Sequence, residues 1–223
     1  DGAALEPLDA EDFARVFAEM LHGRVVRPPA VGATLQSIAA DSVEDLPGNV
    51  RVVVRNDFVG VVADREWQAI QAAAKLEVVW SSGTGLPPGS ELYEFLKSRP
   101  ARDTLLVDSG DVDANLAAAA EVVRAAYYHA YQMHGSIGAA CAVADVRADK
   151  ATVWSATQAV YALRSTTASL LGRPTEDVHV MFRRGPGCYG INGADTVSYD
   201  AALLSQAVGR PVRVLLTRAD EMA

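Results

Sequence analysis

The sequence predicts an α+β chain. Three observations carry that expectation. Residues 50–80 order themselves as strand, turn, strand, helix, strand. From about residue 121 the character changes, and the elements read β-β-α-β-loop-α-β to the end of the sequence. Of the 223 residues, 50% are hydrophobic, which is enough to bury a core in one large domain or two small ones.

The elements follow in order. Residues 9–21, "DAEDFARVFAEML", predict a short helix with Asp9 as its N-cap. "HGRVVRPPA" predicts a short strand that the two prolines stop. Residues 50–63, "VRVVVRNDFVGVVA", predict a hairpin turning at Asn56-Asp57. A helix over 64–76 follows, with Asp64 at its N-cap and Trp67, Ile70 and Ala74 on one face. "EVVWSS" closes this unit as a strand, and "SGTGLPP" is a loop. "GSELYEFLKSR" predicts a short helix, "ARDTLLVDSGD" a strand and "VDANLAAAA" a helical turn.

In the second half, "EVVRAAYYHAYQMHGSIGAACAVADV" predicts one or two long strands, and "KATVWSAT" another. "QAVYALRSTTASLLGR" predicts a helix stopped by Gly172 and Pro174. "EDVHVMFRR", "GADTVSYDAALLSQAVGR" and "PVRVLLTR" predict strand, helix and strand. Trp67, Trp80 and Trp154 are expected in the core. His22 is expected at a strand end, His129 packed among tyrosines, and His134 at a strand bend. The acidic first ten residues are expected to be a solvated tail.

Charge and composition exclude several functions. The net charge is −8 and the pI about 5.0, so neither nucleic acid nor an anionic membrane is an expected partner. No apolar run is long enough for a membrane span. The N-terminus lacks the basic start and apolar core of a signal peptide. Cys141 and Cys188 are too few for a disulfide framework, and His22, His129, His134 and His179 are scattered. No side chain is therefore assigned as a metal ligand.

The segment "RRGPGCYGINGAD", residues 183–195, wants bare backbone. It lacks the lysine of a phosphate-binding P-loop and the serine of a nucleophile elbow. "GPGCYG" fits G-x-G-x-x-G at Gly185, Gly187 and Gly190, but the strand that follows carries no acidic residue to read a ribose. Two readings stay open on the residues alone. One is a tight turn. The other is a loop whose N–H groups and following helix N-terminus favour an oxyanion or oxo group, with Tyr189 as a wall. Cys188 reads as a small buried residue beside the loop. On the residues alone Gln158 reads first as a helix cap or a bond to a neighbouring strand, with a neutral amide donor to a ligand as the other reading.

A resemblance bears on that choice. "ATVWSATQAVYALRSTTASLLG", "GCYGINGAD", "YQMHGSIGAACAVADV" and "DAALLSQAVGRPVRVLLTRADEM" together resemble the molybdenum hydroxylases of the xanthine dehydrogenase and aldehyde oxidase family. The likeness is strongest to molybdopterin-binding subunits of the isoquinoline 1-oxidoreductase and nicotinate dehydrogenase type. "DLPGNVRVVVRNDFVGVVADREWQAIQAAAKLEVVW" resembles the a/b hammerhead domain that precedes the molybdopterin domain there. The resemblance implies a tail or helix over 1–19, a hammerhead-like domain over 20–120, and the first part of a molybdopterin-binding domain over 121–223.

The family's roles carry over by position. Gln158 would donate to an oxo group of the molybdenum centre. Gly187, Tyr189 and Gly190 would form the loop beside the cofactor. Much of the family has phenylalanine in a GGGFGG loop, and the nearer branch often has histidine where Ile191 stands. The family's catalytic glutamate is expected outside these 223 residues, so no catalytic residue is assigned and the chain alone is expected to be inactive. The implied cofactors are molybdenum–molybdopterin, shared with the remainder of the molybdopterin subunit, and a [2Fe–2S] cluster in a partner subunit. The implied substrate is a small N-heteroaromatic or aldehyde, with water as oxygen source. The alternative expectation is a non-catalytic hammerhead scaffold for subunit docking. The expected compartment is cytoplasmic or periplasmic, with the chain soluble.

Overall fold

The structure, a computed structural model, describes residues 10–130, 132–189 and 194–222. The Asp9 cap and the acidic tail lie outside those residues. The chain divides into two units, Asp1–Gly85 with Met133–Ala223, and Leu86–Gln132.

The first unit is built on a seven-stranded mixed sheet. Its strands are β1 (Leu21–Val25), β3 (Arg51–Arg55), β4 (Phe58–Ala63), β6 (Cys141–Val146), β7 (Ala151–Ser155), β8 (Val178–Phe182) and β9 (Val212–Leu215). The spatial order is β3-β4-β1-β9-β6-β7-β8. β1 runs parallel to β9, and β7 parallel to β8. The other pairs are antiparallel. Strands from either side of residue 120 therefore share one sheet. β2 (Leu35–Ala39) and β5 (Glu77–Trp80) form a separate antiparallel pair. β2 is an element that the sequence reading passed over.

Strand alternation sorts the sheet's two faces. Leu21, Val62, Ala142, Ala144, Val153, Val180, Val212 and Val214 point to one face and form the main core. Helices α5 (Val160–Leu171) and α6 (Ala194–Val208) cover it, through Leu163, Ala168, Val197, Ala201 and Leu204. A Cβ on Gly23 or Gly60 would come within 2.5 and 2.8 Å of the Leu204 side chain, so glycine on adjacent strands admits α6 closely. On the other face, Val59 and Val61 pack with Ala72 of α2 (Glu66–Lys75) and with Leu76 just beyond it. α1 (Ala10–Glu19) is tied to that face by Arg15 to Asp145 at 2.8 Å and by Glu19 to Arg147 at 2.7 Å.

Several local expectations fail for identifiable reasons. Trp67 is 65% exposed and Ala74 is exposed; the buried face of α2 carries Ala69 and Ala72 instead. Small side chains let the helix lie close to β1 and β4, so size loses to proximity. Asp64 does not cap α2. It accepts a 2.6 Å hydrogen bond from Asn49 Nδ2, and Arg65 stands at the N-cap without a side-chain bond. Trp154 is only half-buried, whereas Trp80, also half-buried, packs against the second core cluster as expected.

The second unit holds a 3₁₀ turn at Gly89–Glu91, α3 (Leu92–Ser98) and α4 (Val112–Ala118). Asp111 caps α4 by accepting from the Ala114 N–H at 2.9 Å. Tyr93 and Tyr128 meet edge to face, centroids 4.9 Å apart. The strand expected in "ARDTLLVDSGD" does not form; Leu105 and Leu106 are exposed and have no strand partner among the described residues. The long strand expected from 121 also shrinks. Pairing starts at Cys141, where Leu215 of β9 stands opposite. Apolar content supplies β-propensity, but a strand needs a neighbour. His129 is thus exposed, and His134 lies outside any strand. The last short helix, α7 (Arg218–Met222), belongs to the first unit.

Candidate functional site

The two segments singled out in the sequence leave the sheet side by side. β7 and β8 are parallel neighbours, with Ser155 opposite Phe182. Both chains therefore exit at the same sheet end, where parallel strands commonly present ligand loops. The β7 exit runs Ala156-Thr157-Gln158 into α5. The β8 exit runs through Arg183 and Arg184 into the glycine segment and α6.

Contact between the two loops is direct. A Cβ on Gly185 would lie 2.5 Å from the Ala156 Cβ, so glycine is what lets the loops touch. Pro186 packs against Gly138, where an added Cβ would lie 2.8 Å from Pro186 Cβ. Gly187 has φ +123, and a Cβ there would meet the Tyr189 ring at 2.8 Å. Tyr189 itself has φ 55, rare for a residue with a side chain, and is 63% exposed. The loop thus folds its aromatic ring back over its own glycine. Gly190 and Ile191 lie outside the described residues.

Polar side chains lock this arrangement from beneath. The buried Thr157 hydroxyl donates to Asp195 Oδ1 at 2.5 Å, and the Ala159 N–H donates to Thr157 Oγ1 at 3.0 Å. One layer lower, the Ser198 hydroxyl meets Ser155 Oγ at 2.8 Å, and the Thr157 N–H donates to the same Ser155 oxygen at 3.1 Å. Asp195 sits in the first turn of α6, where a carboxylate suits the helix dipole. Sequence reading passed over all four residues. The available sign was polar Ser155 at an inward position of β7, facing polar Ser198 on α6.

Gln158 stands exposed at the head of this network. The turn that carries its neutral amide is held by the Thr157 anchor. Cys188 is half-buried beside the loop, and Cys141 is half-buried on β6. Burial pushes the Cys141 thiol upward, against the pull of nearby Arg213, so it is a packed thiol. Further along α6, Asp200 is paired with Arg27 at 2.5 Å, yet burial pushes its carboxyl up to about 6. His22, second in β1, is held low by burial and then by Arg213. Among the described residues, no group of three or more His, Cys, Asp and Glu side chains is arranged to hold a metal ion. No described helix is long and apolar enough to cross a membrane.

The arrangement suits a polar cofactor held by backbone and neutral amide groups. Gly185 and Gly187 let Ala156 and the Tyr189 ring close onto the loop, while Gln158 and Arg184 stand exposed beside it.

Comparison with known proteins agrees in kind. The family model of the molybdopterin cofactor-binding domain matches residues 97–223. A nicotinate dehydrogenase subunit of Pseudomonas putida is 46% identical over 211 residues, covering 91% of this chain and 18% of that protein. The chain spans about a fifth of the length of the curated relatives it matches. Quinoline 2-oxidoreductase from Pseudomonas putida 86 superposes with a TM-score of 0.65 at 21% identity, over 96% of this chain and 34% of that one. Aldehyde oxidoreductase from Desulfovibrio desulfuricans ATCC 27774 gives 0.70 at 18% identity, over 88% and 27%. Those two likenesses speak for the fold. With the match across more than half its length, the chain belongs to the molybdopterin-binding proteins of the xanthine dehydrogenase and aldehyde oxidase family of molybdenum hydroxylases.

Proposed function

We propose that this chain supplies part of the cofactor cradle of a molybdenum hydroxylase that oxidises an N-heteroaromatic or aldehyde substrate. Water would be the oxygen source, and electrons would leave to a [2Fe–2S] partner subunit. The observation that carries this reading is the Gly185–Ala156 contact beneath Gln158, which joins the two segments the family uses at its cofactor. The relative named nicotinate dehydrogenase favours a nicotinate-like heteroaromatic over an aldehyde. Residues 20–120 are assigned to a hammerhead-like domain and 121–223 to the start of the molybdopterin domain. The sequence order of strand, hairpin, helix and strand supports that division.

Gln158, Gly187, Tyr189 and Gly190 are the residues assigned to hold the group. When bound, molybdenum–molybdopterin would supply the two-electron oxidation, which no side chain here can perform. The protein's work is position and electrostatics. The Gln158 amide donates without adding charge, and so polarises an acceptor without creating a competing ion pair. Gly187, by lacking a side chain, lets the Tyr189 ring fold back over the loop. Tyr189, exposed with its ring over Gly187, would form one wall beside the group.

The test is molybdenum and molybdopterin content in protein purified from its native source with its accompanying chains. The expected result is about one molybdenum per copy, reduced by Gln158→Ala and by Tyr189→Ala. No molybdenum, in a preparation whose other molybdenum enzymes are loaded, would leave a docking scaffold as the function.

A further inference from the structure

A cavity of about 500 Å³ lies between α1 and the sheet face opposite α5 and α6. Val16, Phe17 and Met20 of α1 form one wall, and Val143 and Trp154 form the other. Arg183 and Arg213 complete the lining. The volume is that of a small-ligand pocket. Its wall does not hang loosely. α1 is pinned to β6 by Arg15 and Asp145 and by Glu19 and Arg147, and Arg210 Nε donates to the Glu19 carbonyl at 3.1 Å.

The polar groups on this apolar surface are unequal. Arg213 is neutralised by Glu66 at 2.8 Å, a carboxylate it shares with Arg24 at 3.0 Å, so two guanidinium groups face one carboxylate. Among the described residues, Arg183 has no anion. Its guanidinium donates to the Phe182 carbonyl at 2.9 Å and to the Met181 sulfur at 3.8 Å. A half-buried arginine gains most from a carboxylate, whose two oxygens match its fork. Beside it, the Trp154 indole N–H is buried without an acceptor among the described residues. A cavity with aromatic and aliphatic walls and a guanidinium that no described carboxylate pairs fits an apolar anion.

We propose that this cavity binds a small apolar monocarboxylate. The body lies against Phe17, Val143 and Trp154, and the carboxylate pairs with Arg183. The proposal is independent of the molybdenum reading, because its residues and its test do not need the cofactor.

The experiment is calorimetric titration of the purified protein, with its accompanying chains, using 2-naphthoate. The uncharged 2-naphthalenemethanol serves as control, and preparations with and without molybdenum are compared. Saturable binding of 2-naphthoate is expected in both, about tenfold or more tighter than the alcohol. Arg183→Gln should weaken the acid about tenfold and leave the alcohol unchanged. Val143→Phe should remove binding of both while the thermal midpoint stays near that of the parent, and Met20→Phe repeats the occlusion from the helix side. Absence of 2-naphthoate binding overturns the proposal. So does equal affinity for acid and alcohol, or binding untouched by Arg183→Gln. Release of an accompanying chain by Val143→Phe would make the cavity a protein interface and overturn it as well.

Discussion

The Thr157 hydroxyl donates a 2.5 Å hydrogen bond to Asp195 Oδ1 and ties the turn carrying Gln158 to the first turn of α6. The distance is that of a charge-assisted O–H to carboxylate bond. Thr157 is 1% exposed, so the bond has little competition from water. It is the shortest polar link described between the two candidate cofactor loops. Thr157→Val keeps the shape and removes the donor. It should cost about 1–3 kcal/mol of stability, because the Asp195 carboxylate loses a buried partner. It should also lower the molybdenum content of the assembled protein. Thr157→Ser restores the hydroxyl and should recover both. Chemical denaturation and metal analysis on the three proteins check this. Full molybdenum in Thr157→Val would deny the anchor a role at the cofactor.

Gln158 is the opposite case. It is exposed and hydrogen-bonds nothing among the described residues, so Gln158→Ala should change stability by less than about 0.5 kcal/mol. Its expected effect is on bound molybdopterin alone. Loss of cofactor with an unchanged unfolding midpoint would separate ligand contact from helix capping. A lowered midpoint with cofactor retained would favour the cap.

Gly185 permits a backbone approach that any side chain would block. Gly185→Ala places a methyl about where Ala156 already has one, 2.5 Å away. The clash should cost about 1–3 kcal/mol and shift the glycine loop. Ala156→Gly removes the obstructing methyl, so the double variant should regain most of the loss. Thermal unfolding of the two single variants and the double variant measures this coupling. Additive losses in the double variant would show that the two loops do not press on each other at this point.

The sequence was most legible where local rules decide. The hairpin through Asn56-Asp57, the stop of α5 at Gly172 and the order of elements from β7 to β9 all follow from turn chemistry and periodicity. It was least legible where a distant neighbour decides. Trp67 looks like core by size, yet α2 lies too close to the sheet to bury it. "DTLLV" looks like a strand, yet no described strand pairs with it. Gln158 and the glycine loop were found by their motif. The contact between Gly185 and Ala156 that joins them was invisible, because it depends on β7 and β8 being parallel neighbours. Thr157 and Asp195, 38 positions apart, were missed for the same reason.

Asp200 sets two forces against each other, and pH tells which wins. Its carboxylate is 2.5 Å from Arg27, which favours the charged form. It is also buried on α6, which favours the neutral form. Burial prevails, and the pKa rises from 3.8 to about 6. A carboxyl whose folded pKa is raised contributes stability that is fully present below the unfolded value. That contribution fades as pH climbs between the two values and is gone above the folded one. The window is therefore about pH 4–6. The difference of roughly two units corresponds to about 3 kcal/mol. Asp200→Asn cannot titrate and lacks this dependence. Between pH 7 and pH 4, the parent should gain about 2.4 kcal/mol relative to the variant, most of the full difference, whatever the other carboxylates do to both. Denaturant unfolding of both proteins at the two pH values gives the difference directly. A parent that instead loses ground to Asp200→Asn on acidification would mean that the Arg27 ion pair outweighs burial.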